Sequence, residues 1–163
     1  MEYWNLWHID DPTAQFQDSQ HDAVMLLMMT PQGGEYNFFF VHLLTSSHAL
    51  RIILPLIPTA FHVSLVWQWW LITLALYCIQ SRPSLGSDRV SNFDVNHRDW
   101  EWVEKEAVAG RWSLDAHYVK ALRAMRVAAQ TWGDGESFYL KAAIRFGESF
   151  SGWGGFTALD IEV

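Results

Sequence analysis

The side chains best suited to proton transfer and anion binding are concentrated between residues 38 and 51. If this segment is helical, four polar side chains follow one another along one side, because residues three apart are neighbours on a helix. They are His42, Thr45, His48 and Arg51. Imidazoles exchange protons near neutral pH, and a guanidinium group can stabilise a phenolate, carboxylate or enolate oxygen. The pattern is typical of a proton-transfer site, or of a core helix whose histidines bind backbone or carboxylate partners.

A second polar group lies between residues 113 and 123. His117 and Lys120 share one face of a predicted helix, and so do Lys120 and Arg123. Asp115 lies two residues before His117, so the two side chains point apart and cannot form a dyad. Two interpretations follow. Either His117 or Lys120 points into the same pocket as the first group, or Ser113 caps the helix and the bases form a solvated face.

Other common chemistries find little support in the sequence. A non-haem iron site needs two histidines and a carboxylate, and no helix face carries that pairing, so such ligands could converge only from separate helices. We therefore predict no metal site. The glycine-rich segment 152–155 follows a predicted helix and lacks the strand–turn–helix context of a dinucleotide site. Cys78 is the single cysteine, which excludes an internal disulfide, and we expect it to pack as a small hydrophobic residue.

The elements that must position these residues are predicted to be helices. Pro55 ends the first of them and Gly110 another, since proline lacks the amide that a helix needs and glycine favours a helix end. The predicted helices are Phe38–Leu54, Phe61–Gln80, Asp99–Ala109, the segment from Ser113 to Trp132, and Glu136–Ser149. Ser81–Asn96 is predicted to be a surface loop, and no strand of convincing length is found. We predict one all-α domain over residues 1–163, an irregular bundle of about five to six helices.

The helix Phe61–Gln80 is long and apolar enough to raise the question of a membrane. No charged residue occurs from Ile52 to Gln80. The polar or amphipathic side chains His62, Trp69, Thr73 and Gln80 nevertheless fall on one stripe of the helix. We predict a buried helix that lines a cavity, with a membrane span or peripheral membrane contact as the alternatives.

Composition narrows the class of protein. Of the 163 residues, 50% are hydrophobic, 15% aromatic and 18% charged, against roughly 25% charged in an average soluble domain. This shortage of charge indicates a membrane segment, a large internal pocket, or a part of something larger. The net charge is −7, and residues 1–50 contain no Lys or Arg, so nucleic-acid binding is not expected. The N-terminus lacks a secretory signal pattern, and we expect an intracellular, cytoplasmic location.

Four segments together resemble the questin oxidase family. They are Tyr36–His48, Gln68–Trp70, Asp115–Arg123 and Tyr139–Ala143. The aromatic run followed by His-Leu-Leu-Thr-Ser-Ser is the most specific of them, and the similarity extends from about Ala14 to Phe156. Members of the family are longer, so we expect this chain to be the C-terminal part of a larger helical domain.

The resemblance implies a mostly helical oxidoreductase of fungal secondary metabolism that acts on a flat, polycyclic aromatic polyketide. The founding reaction is a Baeyer–Villiger-type monooxygenation that opens an anthraquinone ring. NADPH dependence is associated with that reaction, although no cofactor-binding motif is recognisable here.

On this basis each candidate residue receives an expected role. His42 or His48 deprotonates a phenolic hydroxyl, Arg51 stabilises the anion, and His117 assists proton return. The residues expected to bind substrate are Thr45, His62, Trp69 and Lys120. The alternative is a non-catalytic helical remnant that binds hydrophobic ligands or a partner polypeptide and self-associates through an exposed apolar surface.

Overall fold

The computed structural model describes residues 9–29, 33–85 and 88–156, and helices dominate this part of the chain. The helices are α1 Pro12–Met29, α2 Phe38–Ile53, α3 His62–Ile79, α4 Asp88–Ser91, α5 Trp100–Ala109, α6 Ala116–Trp132 and α7 Phe138–Ser149. Single 3₁₀ turns occupy Leu54–Leu56, Thr59–Phe61 and Gly135–Ser137. Two three-residue strands, β1 Glu35–Asn37 and β2 Gly152–Gly154, pair in parallel, with Tyr36 opposite Trp153. The all-α prediction is confirmed.

The helix that carries the first polar group begins and ends where the sequence predicts. The Asn37 side chain caps α2 by accepting hydrogen bonds from the backbone amides of Phe39, at 2.9 Å, and Phe40, at 3.1 Å. At its other end α2 passes at Ile53 into the 3₁₀ turn that contains Pro55. The four polar residues of α2 are therefore on one continuous helix.

The start of α6 lies two residues later than predicted. Asp115, and not Ser113, is the N-cap, because its extended backbone lets the carboxylate accept from the amides of His117 and Tyr118 at 2.8 and 2.9 Å. Ser113 lies two residues too early, in the preceding turn. At its other end α6 stops at Trp132, as predicted, and Gly133 follows at φ +83°.

Helix α1 was not predicted, because polar residues are part of its buried surface. Ser19 and Gln20 are completely buried. Gln20 donates to Ser47 Oγ at 3.2 Å and accepts from the indole N–H of Trp132 at 2.7 Å. These bonds join α1 to α2 and α6 and satisfy an amide that would otherwise be costly to bury. The pairs α1–α2 and α6–α7 enclose the core, whose largest fully buried side chains include Phe16, Leu27, Met28, Phe40, Leu44, Leu122, Met125 and Ile144.

The prediction that the helix Phe61–Gln80 is buried is wrong for most of its surface. The predicted stripe does face inward: Trp69 and Thr73 are buried, and the Gln80 side chain accepts from Asn37 at 2.6 Å. In α3, however, Val66 is the single further buried residue. The exposed large apolar residues in and beside α3 are Phe61, Val63, Leu71, Ile72, Leu74 and Ile79. Cys78, expected to pack inside, is also exposed.

Two segments of the described chain are long and apolar enough to cross a membrane. Phe38–Leu56 and Thr59–Ile79 each have a mean hydropathy of 1.4, with 33% and 17% of the window buried. Core helices of soluble proteins pass the same test, so this finding is weak support for a membrane span. The predicted loop Ser81–Asn96 contains the one-turn helix α4, and Val90 of this turn is fully buried.

Candidate functional site

A cavity of about 550 Å³ opens between α2, α3 and α6. Its lining residues are His42, Leu43, Thr45, Ser46, His48, Ile72, Leu76, Lys120 and Arg123. Helix α2 contributes the imidazole and hydroxyl groups, α3 contributes two aliphatic side chains, and α6 contributes two cations. The structure thus brings together four of the sequence-predicted site residues, namely His42, Thr45, His48 and Lys120.

Five further lining residues were not predicted as site residues, namely Leu43, Ser46, Ile72, Leu76 and Arg123. Arg123 follows Lys120 by three positions, so the helical spacing already contained the signal that both bases face the same way. Ile72 and Leu76 lie four apart on α3, beside the predicted polar stripe and not within it. The same spacing occurs on any apolar helix face, so it could not show that these two residues line a cavity.

The other predicted residues lie outside the cavity lining. The His62 ring bonds to the carbonyl oxygen of Ile57 at 3.1 Å. Trp69 packs edge-on against Phe16 of α1, with 5.9 Å between ring centroids. The inward stripe of α3 therefore faces α1 and the preceding turn. The cavity is lined by the adjacent side of α3, which carries Ile72 and Leu76.

Arg51 lies one turn beyond His48, also outside the lining. Its Nε atom is buried without a hydrogen-bond partner among the described residues. The positive charge of Arg51 lowers the pKa of His48.

The hydrogen bond of His42 fixes how its ring can act. Its Nδ1 atom lies 2.7 Å from the carbonyl oxygen of Phe38, one helical turn earlier. A carbonyl only accepts, so in a neutral imidazole the proton is on Nδ1 and the lone pair is on Nε2. His42 therefore presents a proton acceptor at Nε2.

The surroundings of His48 keep its ring neutral. Burial lowers the pKa of His48 below its usual 6.5, and the positive charges of Arg51 and Arg123 lower it further. Its Nδ1 atom is buried and has no hydrogen-bond partner in the described part of the chain. At neutral pH His48 is thus uncharged and able to accept a proton.

His117 is not among the lining residues of the cavity and instead contacts His42, which is. The two ring centroids are 4.9 Å apart. Burial lowers the pKa of His117, as do the charges of His42 and Lys120, whereas the Asp115 carboxylate raises it. Phe38 packs on both histidines, with centroids at 4.5 Å from His42 and 4.8 Å from His117. Two imidazoles from separate helices therefore meet on an aromatic support.

The cavity is positively charged although the chain carries a net charge of −7. Its lining contains no acidic residue, and Lys120 and Arg123 form no ion pair with a described side chain. Two exposed cations, two imidazoles and an aliphatic wall suit a flat ligand with an apolar body and an ionisable oxygen.

The described residues offer no ready place for a metal ion or a dinucleotide. Across residues 9–29, 33–85 and 88–156, no three His, Cys, Asp or Glu side chains are close enough together to hold a metal. The glycine-rich segment 152–155 forms strand β2 and its end, paired with β1. A dinucleotide-binding glycine loop follows a strand, whereas this segment follows helix α7 and is itself a strand, so these residues do not fit NADPH.

The family comparison agrees with the resemblance seen in the motifs. The model of the questin oxidase-like family matches residues 1–125 of the chain. The match includes α1 to α5 and the part of α6 that bears His117, Lys120 and Arg123, and it ends before Tyr139–Ala143. No curated protein and no solved structure matches the chain. The chain belongs to the questin oxidase-like family, which indicates an oxidoreductase.

Proposed function

We propose that the cavity binds a hydroxyanthraquinone-like polyketide and that the chain takes part in its Baeyer–Villiger-type oxygenation and ring opening. The observation that carries the proposal is the cavity itself, in which two imidazoles lie with two aliphatic side chains and two cations. Its volume of about 550 Å³ lies within the range of roughly 300–1,000 Å³ that is usual for small-molecule sites.

In the proposed chemistry the protein first makes the substrate electron-rich. Nε2 of His42, which the hydrogen bond of Nδ1 leaves as the acceptor atom, or the ring of His48, whose pKa is lowered, accepts the proton of a phenolic hydroxyl. Lys120 and Arg123 lie in the same cavity and stabilise the phenolate. This assignment gives them the task first expected of Arg51, which would instead act on His48 and keep that ring neutral.

The overall reaction balances with dioxygen and an external two-electron reductant. One oxygen atom enters the bond between the ring carbonyl carbon and its neighbour, the other leaves as water, and the reductant supplies two electrons. Water then cleaves the new ester to a carboxylic acid and a phenol. NADPH remains the proposed reductant by family resemblance. His117 returns a proton through His42, whose ring it contacts.

The test measures binding and turnover of a hydroxyanthraquinone panel by the full chain in air, with and without NADPH. Binding is followed by quenching of tryptophan fluorescence. We expect His42→Ala and His48→Ala to lower turnover on the order of 100-fold or more while binding changes little. His97→Asn is the matched control, because His97 is exposed and its φ of +61° is one that asparagine tolerates.

Turnover that survives both alanine substitutions would overturn the catalytic assignment. Saturable quenching without turnover under any condition would leave a ligand-binding pocket and contradict the oxygenation. A lack of both would contradict the proposed function as a whole.

The exposed face of α3 favours a second candidate function, in which the chain binds a second copy of itself. Phe61, Val63, Leu71, Ile72, Leu74 and Ile79, with Ile52, Ile53 and Leu56 beside them, together expose about five side chains' worth of apolar surface. At roughly 120 Å² for each side chain, this is on the order of 600 Å², at the upper end for a monomer's largest patch. The patch is uncharged, so two copies can meet there despite the net charge.

Light scattering after size-exclusion chromatography tests this second candidate. We expect a dimer in the cytosolic fraction that dissociates in Leu71→Gln/Ile79→Gln. Val108→Gln, on α5, is the control because Val108 is 78% exposed and lies outside the patch. A monomer at all concentrations would contradict self-association. Recovery from the membrane fraction alone would instead favour a lipid surface as the partner and contradict the proposed cytoplasmic location.

A further inference from the structure

Asp115 makes more contacts than an N-cap needs. One carboxylate oxygen accepts from the amides of His117 and Tyr118 at 2.8 and 2.9 Å, which is ordinary capping. The other oxygen accepts the indole N–H of Trp153 at 2.8 Å. A single side chain thereby links the first turn of α6 to strand β2.

The location of Trp153 makes this link relevant to the cavity. Strand β2 is held by β1, which directly precedes α2, so the pairing brings Trp153 opposite Tyr36 and next to the start of α2. The Trp153 ring lies 5.8 Å from Phe38 and 6.2 Å from His117, between ring centroids. Asp115 thus links the first turn of α6, which carries His117, to Trp153. Trp153 in turn packs beside Phe38, the ring that contacts His42.

The His117 ring depends on this arrangement, because no described residue hydrogen-bonds to either of its nitrogens. Rings surround it instead: His42 at 4.9 Å, Phe38 at 4.8 Å and Trp153 at 6.2 Å. Ring contacts are weakly directional compared with hydrogen bonds. The orientation of His117 is therefore set by where the backbone of the first turn and the neighbouring rings are held.

We propose that Asp115 is a positioning residue, which holds His117 against His42 by fixing the first turn of α6 and the Trp153 indole with one carboxylate. This inference rests on the proposed function in one respect, because the proton-transfer roles of His42 and His117 come from that function. The geometry can be tested without any turnover.

The charged and titratable groups that act on His117 come from both helices around it. His42 on α2 and Lys120 on α6 disfavour its protonation, and Asp115 favours it. Removing the carboxylate charge while keeping a cap should therefore lower the pKa of His117 further, in addition to loosening its ring contacts.

The chain provides a matched control for the capping role. Asp99 caps α5 in the same way, accepting from the amides of Glu101 and Trp102 at 3.0 and 3.1 Å. No third hydrogen bond to its carboxylate is found in the described part of the chain. Asp99→Asn and Asp115→Asn make the same chemical change at two N-caps, and asparagine caps about as well as aspartate.

The experiment follows the imidazole signals of His42 and His117 by NMR during a pH titration. In Asp115→Asn we expect a lower pKa for His117 and weaker nuclear Overhauser contacts between the two imidazoles. Trp153→Phe should weaken the same contacts while leaving the carboxylate cap in place. Asp99→Asn should change neither the pKa nor the contacts.

Two outcomes separate this inference from the proposed function. If Asp115→Asn and Asp99→Asn behave alike, Asp115 is an ordinary cap and the positioning role is wrong. If the His117 signals move only in Asp115→Asn and Trp153→Phe, yet His117→Ala turns over substrate as well as the parent, the positioning role stands. The task assigned to His117 then fails. With both correct, Asp115→Asn should lower turnover on the order of 10- to 100-fold.

Discussion

Helices α3 and α6 both line the cavity, and they are stabilised in very different ways. In α6, seven of 17 residues are buried, and the helix is closed by Asp115 at one end and Gly133 at the other. In α3, three of 18 residues are buried, and no side chain caps its first turn. One wall is thus fixed by the core and by its caps. The other wall is held by one narrow stripe and exposes an uncharged face.

The difference explains why the polar side chains of the site lie on α2 and α6. A catalytic group must be held to within a fraction of an ångström, and helices packed on both neighbours provide that rigidity. Helix α2 packs against α1, α3 and α6, and α6 packs against α2, α5 and α7. Helix α3 contributes only Ile72 and Leu76 to the cavity, a task that tolerates movement.

The largest effect should come from removing core volume beneath helix α6. Leu122 is 1% exposed, so Leu122→Ala should lower the free energy of unfolding by about 2–5 kcal/mol through lost burial and the resulting cavity. Leu71→Ala, on the outer side of α3, is the matched change and should shift it by about 0.5 kcal/mol or less. Urea denaturation of both variants measures the contrast, at a protein concentration at which light scattering shows a monomer. Equal losses would mean that α3 is packed as tightly as α6.

A smaller effect should come from the C-terminal end of helix α6. Gly133 has φ +83° and ψ 163°, a region that is essentially restricted to glycine. No atom lies within 4 Å of the position that a Cβ would take, so Gly133→Ala tests backbone strain alone. We expect a loss of about 1–3 kcal/mol in the free energy of unfolding.

Gly135 supplies the control for this change. An added Cβ would also meet open space there, without a left-handed φ. Gly135→Ala should therefore be close to neutral. If both alanines cost the same, the end of α6 does not depend on the conformation of Gly133.

The parts of the fold that follow from local chemistry were predicted, and those that depend on long-range packing were not. Pro55 and Gly110 mark helix ends through their own chemistry, and the ends that they predict agree with the structure. The pairing of β1 with β2 joins segments more than a hundred residues apart, and three residues are too short for a recognisable strand pattern. Gln20 obscured α1 because a buried amide interrupts the apolar periodicity.

The same limit applies to the candidate site. Periodicity correctly grouped His42, Thr45 and His48 on one face of α2. For α3 it identified the inward stripe but could not say which neighbour that stripe meets. Trp69 contacts Phe16 of α1 and lies away from the cavity. The meeting of His117 with His42 depends on the packing of two helices and could only be hypothesised.

The smallest effect that we predict is the contribution of His48, on α2, to the pH dependence of stability. The pKa of His48 is lowered in the folded state, first by burial and then by Arg51 and Arg123. The unfolded chain, in which the pKa returns to about 6.5, therefore binds the proton more tightly than the folded one. The contribution of neutral His48 to stability is complete above pH 6.5 and is lost as the pH falls toward the lower, folded-state pKa.

His48→Gln removes this titration while keeping a polar side chain of similar length. Between pH 7.5 and pH 5.5 its urea midpoint should fall less than that of the parent chain. His97→Asn, which replaces an exposed histidine far from both arginines in sequence, should keep the full decrease. An identical decrease in the parent chain and His48→Gln would show that His48 titrates normally in the fold. The cations beside it would then do nothing to keep it neutral, and its suitability as a base would rest on its ordinary pKa alone.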